Sequence, residues 1–126
     1  MGNKVLIIDD DHDILETTGS ILAYEGFEIH SADSVERGLE LAGKISPDIV
    51  LLDIMFPESK TQGFDAARAI KARYPQLPII VLTAINREYA FEFTKEDIKV
   101  EEFLNKPVRT KKLIELIRLH TGPDPV

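Results

Sequence analysis

The sequence predicts an α/β domain: a doubly wound, five-stranded parallel sheet with strand order 2-1-3-4-5 and helices on both faces. Three observations predict it. Short β-branched apolar runs alternate with longer amphipathic stretches along the whole chain. The run 79–83 has the continuous apolar character of a strand covered on both faces. Parallel neighbours also need a helix-sized segment to return the chain to the same edge, and the stretches between the runs have that length.

Taken in order, residues 4–8 read as a buried strand. Residues 13–25 read as a helix with Ile14, Leu15, Thr18, Ile21 and Leu22 along one side, closed by Gly26. Residues 27–32 form the second strand. Ser34, or Asp33 beside it, caps the next helix, where Val35, Leu39 and Ala42 repeat at helical spacing until Pro47. Residues 48–53 give the third strand. The alanine-rich stretch 64–74 is the third helix, Pro75 and Pro78 bracket a turn, and 79–83 is the fourth strand. A helix over about 87–98, a short strand over 101–105, and a last helix capped by Thr110 and carrying Leu113, Leu116, Ile117 and His120 complete the alternation. Gly122 and Pro123 end it. The expected organisation is one domain over 1–121, with 122–126 a short tail or the start of a linker.

Composition narrows the function classes. Fifteen basic against twenty-two acidic residues give a net charge of −7, which repels phosphate backbones and anionic membrane surfaces. Direct nucleic-acid binding and membrane association are therefore not expected. The chain has no cysteine, so a disulfide framework, a thiolate metal site and a thiol nucleophile are excluded. No apolar run is long enough to span a bilayer and no signal peptide opens the chain, so a cytoplasmic location is expected.

Four of the strand-like runs end on residues with chemistry: Asp9 and Asp10 after the first, Asp53 after the third, Thr83 after the fourth and Lys106 after the fifth. In an open parallel sheet the carboxyl ends share one edge, and the ligand crevice forms where the strand order reverses, here between strands one and three. Three carboxylates at close range repel one another unless a cation intervenes, and an all-oxygen donor set favours Mg2+. Neighbours on a regular strand point to opposite faces, so the chain must bend after the first strand for Asp9 and Asp10 both to reach one ion. A cation, the Lys106 ammonium and the Thr83 hydroxyl together suit a transferring phosphoryl group, and Asp53 is the available nucleophile, giving a phospho-aspartate. Asp11 and Asp13 read instead as complements to the positive end of the first helix. His30 and His120 read as structural, and His12 beside the acids is a weak signal of a transition-metal site.

Together these motifs, Asp9-Asp10, Asp53 in DIVLLDIMFP, Thr83-Ala84 in IIVLTA and Lys106-Pro107 in FLNKPV, resemble the receiver domain of bacterial two-component response regulators over about residues 3–120. The resemblance implies a flavodoxin-like fold with Asp53 as phospho-acceptor and Asp9, Asp10 and the Met55 carbonyl as further magnesium ligands. It implies that Thr83 and Lys106 contact the phosphoryl group and that Phe103 is an aromatic switch coupled to Thr83. The implied donor is a histidine kinase or a histidine phosphotransfer protein. The implied output is the face made by the fourth helix, fifth strand and fifth helix, read by a downstream protein, a fused output domain or a phosphorylation-dependent homodimer partner. Such a domain is regulatory and catalyses only its own phosphorylation and dephosphorylation. The positions two residues beyond Asp53 and Thr83, which tune hydrolysis in this family, are apolar here as Met55 and Ile85.

The sequence also departs from the family pattern. Five residues, 58–62, separate Pro57 from Gly63, a longer loop than usual, with Gln62 in place of an acid and Phe56 in place of methionine. The 98–102 segment lacks the common glycine-alanine pair. Two alternatives are a degenerate receiver serving as a phosphorylation-independent interaction module, and a haloacid-dehalogenase-like phosphatase. The latter places its nucleophile after the first strand in an Asp-x-Asp pattern that Asp9 and Asp11 match only loosely.

Overall fold

A computed structural model of the chain describes residues 3–54, 62–83, 102–105 and 109–121, and for 54, 62–66, 83, 102, 103 and 105 it describes the backbone alone. The elements are β1 (Lys4–Ile8), α1 (His12–Tyr24), β2 (Glu28–Ala32), α2 (Val35–Ile45), β3 (Ile49–Ile54), α3 (Gln62–Arg73), β4 (Ile79–Thr83), β5 (Glu102–Asn105) and α4 (Thr110–Thr121). All neighbouring strands pair in parallel, in the order β2-β1-β3-β4-β5. The expected topology is the observed one, and β1 and β3 lie side by side at the point of reversal. The helix expected over 87–98 falls outside the described residues, as do 55–61 and 122–126.

The alternation of side chains along each strand sorts the core into two layers. Leu6, Ile8, Val50, Leu52 and Val81 pack with Ala42 of α2 and with Ala67 and Ile70 of α3. On the other face, Val5, Ile7, Ile49, Leu51, Ile80 and Leu82 pack with Leu15 and Leu22 of α1 and Leu113, Ile114 and Ile117 of α4. Each leucine or isoleucine removed from water contributes roughly 1.5–3 kcal/mol. Exposed pairs such as Lys44–Glu40, 3.3 Å apart, contribute only about 0–1 kcal/mol. The two apolar layers therefore hold the fold.

Local signals place most boundaries. Asp11 caps α1, its carboxylate accepting the N–H groups of Asp13 (3.0 Å) and Ile14 (3.3 Å), while Asp13 adds negative charge to the first turn. Gly26 follows the helix with φ of 99°, a left-handed conformation that favours glycine. Ser34 is the cap of α2, its hydroxyl accepting the Arg37 N–H at 3.2 Å. Thr110, expected as a cap, is instead the first residue of α4, with the Arg109 carbonyl accepting the Leu113 N–H. Helix α3 starts at Gln62, two residues before the expected 64, so Gln62 belongs to the helix rather than the preceding loop.

Candidate functional site

The sheet register builds the site. Ile8, the last residue of β1, is paired with Ala32 on one side and Leu52 on the other, so Asp9 and Asp53 are the next residues on two adjacent central strands. Asp53 is in register with Leu82, Ile54 with Thr83, and Thr83 with Asn105, the neighbour of Lys106. One sheet edge thus gathers Asp9, Asp53 and the Thr83 backbone, while Met55 and Lys106 lie outside the described residues, as does Ile85.

Asp9 is only 2% exposed, unusual for a carboxylate. Its N–H extends the ladder to the Ala32 carbonyl at 3.1 Å, and its Oδ1 accepts the Asp11 N–H at 2.9 Å. Asp10 sits at a bend between β1 and α1 and is exposed, so the chain has left the strand there. Asp53 is half-buried, with both carboxylate oxygens shielded from solvent. At the rim, His12 Nε2 lies 3.7 Å and Arg37 Nε 3.8 Å from the Asp33 carboxylate, across exposed side chains. His12 is thus turned toward an exposed acid after β2. His30 is hydrogen-bonded to Glu28 at 2.8 Å on the edge strand, remote in register from the acids. The role of Ala32 was invisible in the sequence, since a backbone acceptor carries no residue signature.

The donor set fits a hard divalent cation. It is all oxygen, and one Asp9 oxygen is fixed by a backbone N–H at 2.9 Å. Among the described residues no group of three or more His, Cys, Asp or Glu side chains is arranged to hold a metal ion. Magnesium does not need one, because it typically takes one or two carboxylates and keeps several waters.

Comparison with known proteins decides the family. Residues 5–118 match the family model of the response regulator receiver domain. The chain belongs to this family. The transcriptional regulatory protein CpxR of Escherichia coli K12 is 34% identical over 116 residues, which cover 92% of this chain and 48% of CpxR. The chain therefore spans about half the length of the curated relatives it matches. A response regulator receiver domain protein from Clostridium thermocellum superposes with a TM-score of 0.80 at 32% identity, covering 95% of this chain and 94% of that one. A CheY-like receiver domain protein from Methanospirillum hungatei gives 0.80 at 25% identity, over 94% and 93% of the two chains. The protein is a phospho-accepting signalling domain with a regulatory role, in a family that generally binds magnesium at its phosphorylation site. The phosphatase alternative loses its support. Among the described residues no helix is long and apolar enough to cross a membrane.

Proposed function

We propose that Asp53 accepts a phosphoryl group from a phosphohistidine of a histidine kinase or phosphotransfer protein. The observation that carries this reading is the register of β1 with β3, which sets Asp9 and Asp53 at one level on adjacent strands where the topology reverses. An Asp53 carboxylate oxygen attacks phosphorus in line, the new P–O bond forms, and the P–N bond to the donor imidazole breaks with its electron pair going to the departing nitrogen. Asp9, Asp10, Asp53 and the Met55 carbonyl are the proposed magnesium ligands; when bound, the ion neutralises charge among the carboxylates and on the phosphoryl oxygens. Lys106 supplies a second cation and Thr83 a hydroxyl donor to the same oxygens.

Burial of Asp9 supports its role as a fixed member of the set, and exposure of Asp10 suits ligation directly or through water. Movement of Thr83 toward the phosphoryl group, with Phe103 turning inward, passes the state to the face formed by the 87–98 segment, β5 and α4. That face serves a downstream protein, a fused output domain or a second copy of the chain. The net charge of −7 argues that the domain itself does not bind nucleic acid, and a cytoplasmic setting suits it. The receiver unit is proposed to span residues 1–121.

The test is intact-mass spectrometry after incubation with acetyl phosphate, with and without magnesium. One magnesium-dependent phosphoryl adduct on the wild type, missing from Asp53→Asn, is the expected result. No adduct on a folded, magnesium-binding wild type would instead support a degenerate interaction module. Met55 and Ile85 cannot orient an attacking water by hydrogen bonding, so the phosphorylated state should be long-lived. Met55→Asn and Ile85→Glu should shorten its lifetime, and an unchanged decay rate in both would refute that role.

A further inference from the structure

We propose that Ile8 and Gly38 form a size-matched pair that sets the position of the Asp9–Asp10 bend, and with it the affinity of the acid edge for magnesium. The proposal rests on the reading of that edge as a magnesium-dependent phosphorylation site. Gly38 is buried in the first half of α2, facing the end of β1. A Cβ added there would lie 2.4 Å from Ile8 Cδ1 and 2.9 Å from Ile8 Cγ1. Rotation about the outer bond of Ile8 moves Cδ1 but leaves Cγ1 in conflict, and the branched side chain is stiff at its inner bond. Ile8 is 3% exposed and packed among Leu6, Ala32 and Leu52, so it has no space to swing into.

The conflict must therefore pass into the backbone, and both routes lead to the acids. If β1 yields, its next residues are Asp9 and Asp10. If α2 yields, it draws on β2, because only Asp33 and the capping Ser34 separate α2 from Ala32. Ala32 is the partner of Ile8 in the ladder and the acceptor of the Asp9 N–H. Helix propensity alone would make alanine better than glycine inside α2, so a loss on Gly38→Ala reports the contact and not the helix. Gly43, further along α2, is the natural control. A Cβ there meets the Tyr74 hydroxyl at 3.2 Å, the far end of a side chain distant from the acids.

The experiment is calorimetric titration of MgCl2 into the wild type, Gly38→Ala, Gly43→Ala and the double variant Ile8→Ala/Gly38→Ala, with a thermal melt and the acetyl phosphate adduct measured for each. Gly38→Ala should bind magnesium about ten- to a hundredfold more weakly, the scale typical of displaced supporting groups around a metal. Gly43→Ala should bind as the wild type does, and the double variant, which lacks both the Cγ1 and Cδ1 atoms of Ile8, should recover most of the affinity. Unchanged affinity in folded Gly38→Ala, or a loss that the double variant does not restore, overturns the pair. If Gly38→Ala fails to fold, the double variant decides: folded with near-wild-type affinity supports the pair, and unfolded or weakly binding overturns it. A wild type that binds magnesium but forms no adduct overturns the functional reading, while the titrations still decide the pair. A wild type that takes up no magnesium overturns both.

Discussion

Two aspartates near opposite ends of β3 sit in different surroundings. Asp48, just before the strand, accepts the Lys4 N–H at 2.7 Å, while the Lys4 ammonium reaches the Ile45 carbonyl at 3.0 Å. At the same amino edge Asn3 donates to the Thr121 hydroxyl at 3.0 Å, and its carbonyl accepts the Glu28 N–H at 2.9 Å. Polar groups there tie chain to chain. Asp53, toward the other end of β3, is held at the level of Asp9 by the ladder. On the proposed function, one residue type serves stability at the edge where strands begin and chemistry at the edge where they end, as expected for sheets whose ligands bind beyond the carboxyl ends of the strands.

The largest expected effect separates the two aspartates outright. Asp53→Asn should abolish the phosphoryl adduct while leaving the thermal midpoint unchanged or higher, because it relieves repulsion between neighbouring carboxylates. A large drop in midpoint would mean that Asp53 is also a structural residue, and the contrast would fail. Asp11→Ala probes the junction between the two roles. It removes the α1 cap at a cost of about 1 kcal/mol in urea unfolding, while alanine keeps the backbone N–H that holds Asp9 Oδ1, so magnesium affinity should change little. Asp48→Ala should cost somewhat less, roughly 0.5–1 kcal/mol for an exposed hydrogen bond, with adduct formation intact.

The smallest effect is a pH dependence at the edge strand. The His30 hydrogen bond holds the Glu28 carboxyl below its ordinary value of 4.5, assisted by the Lys4 charge. A depressed carboxyl contributes stability above its unfolded pKa and loses it as pH falls through the folded one. Wild type and Glu28→Gln should therefore differ slightly in midpoint near neutrality and begin to converge as pH falls past 4.5 toward the lowered value. A difference that persists at lower pH would assign the effect to packing.

The parts of this division that were legible in the sequence share a physical cause. The fourth strand was read with both ends correct, Ile79–Thr83, because a continuous apolar run follows Pro78 directly. Gly26 and Ser34 announced a helix end and a helix start by chemistry that few residues supply. The convergence of Asp9 and Asp53 followed from topology alone, since parallel strands must deliver their carboxyl ends to one edge. The start of α3 at Gln62 was missed because Gly63, a poor helix former, lies inside the first turn. Thr110 was misplaced by one step because threonine suits both a cap and a first turn. The Ala32 acceptor and the fit of Ile8 against Gly38 were beyond reach, since both depend on segments distant in sequence meeting at close range.

The central place of β1 and β3 in the order β2-β1-β3-β4-β5 also bears on how the molecule breathes. Amides of interior strands exchange with solvent mainly through global unfolding, whereas edge strands open in smaller and cheaper fluctuations. In a hydrogen-exchange experiment the slowest amides should be those of Val5 to Ile8 and Ile49 to Leu52, with β2 and β5 exchanging earlier. Asp9 and Asp53 are thus mounted on the last part of the protein to open, and their spacing persists while the borders of the sheet fluctuate.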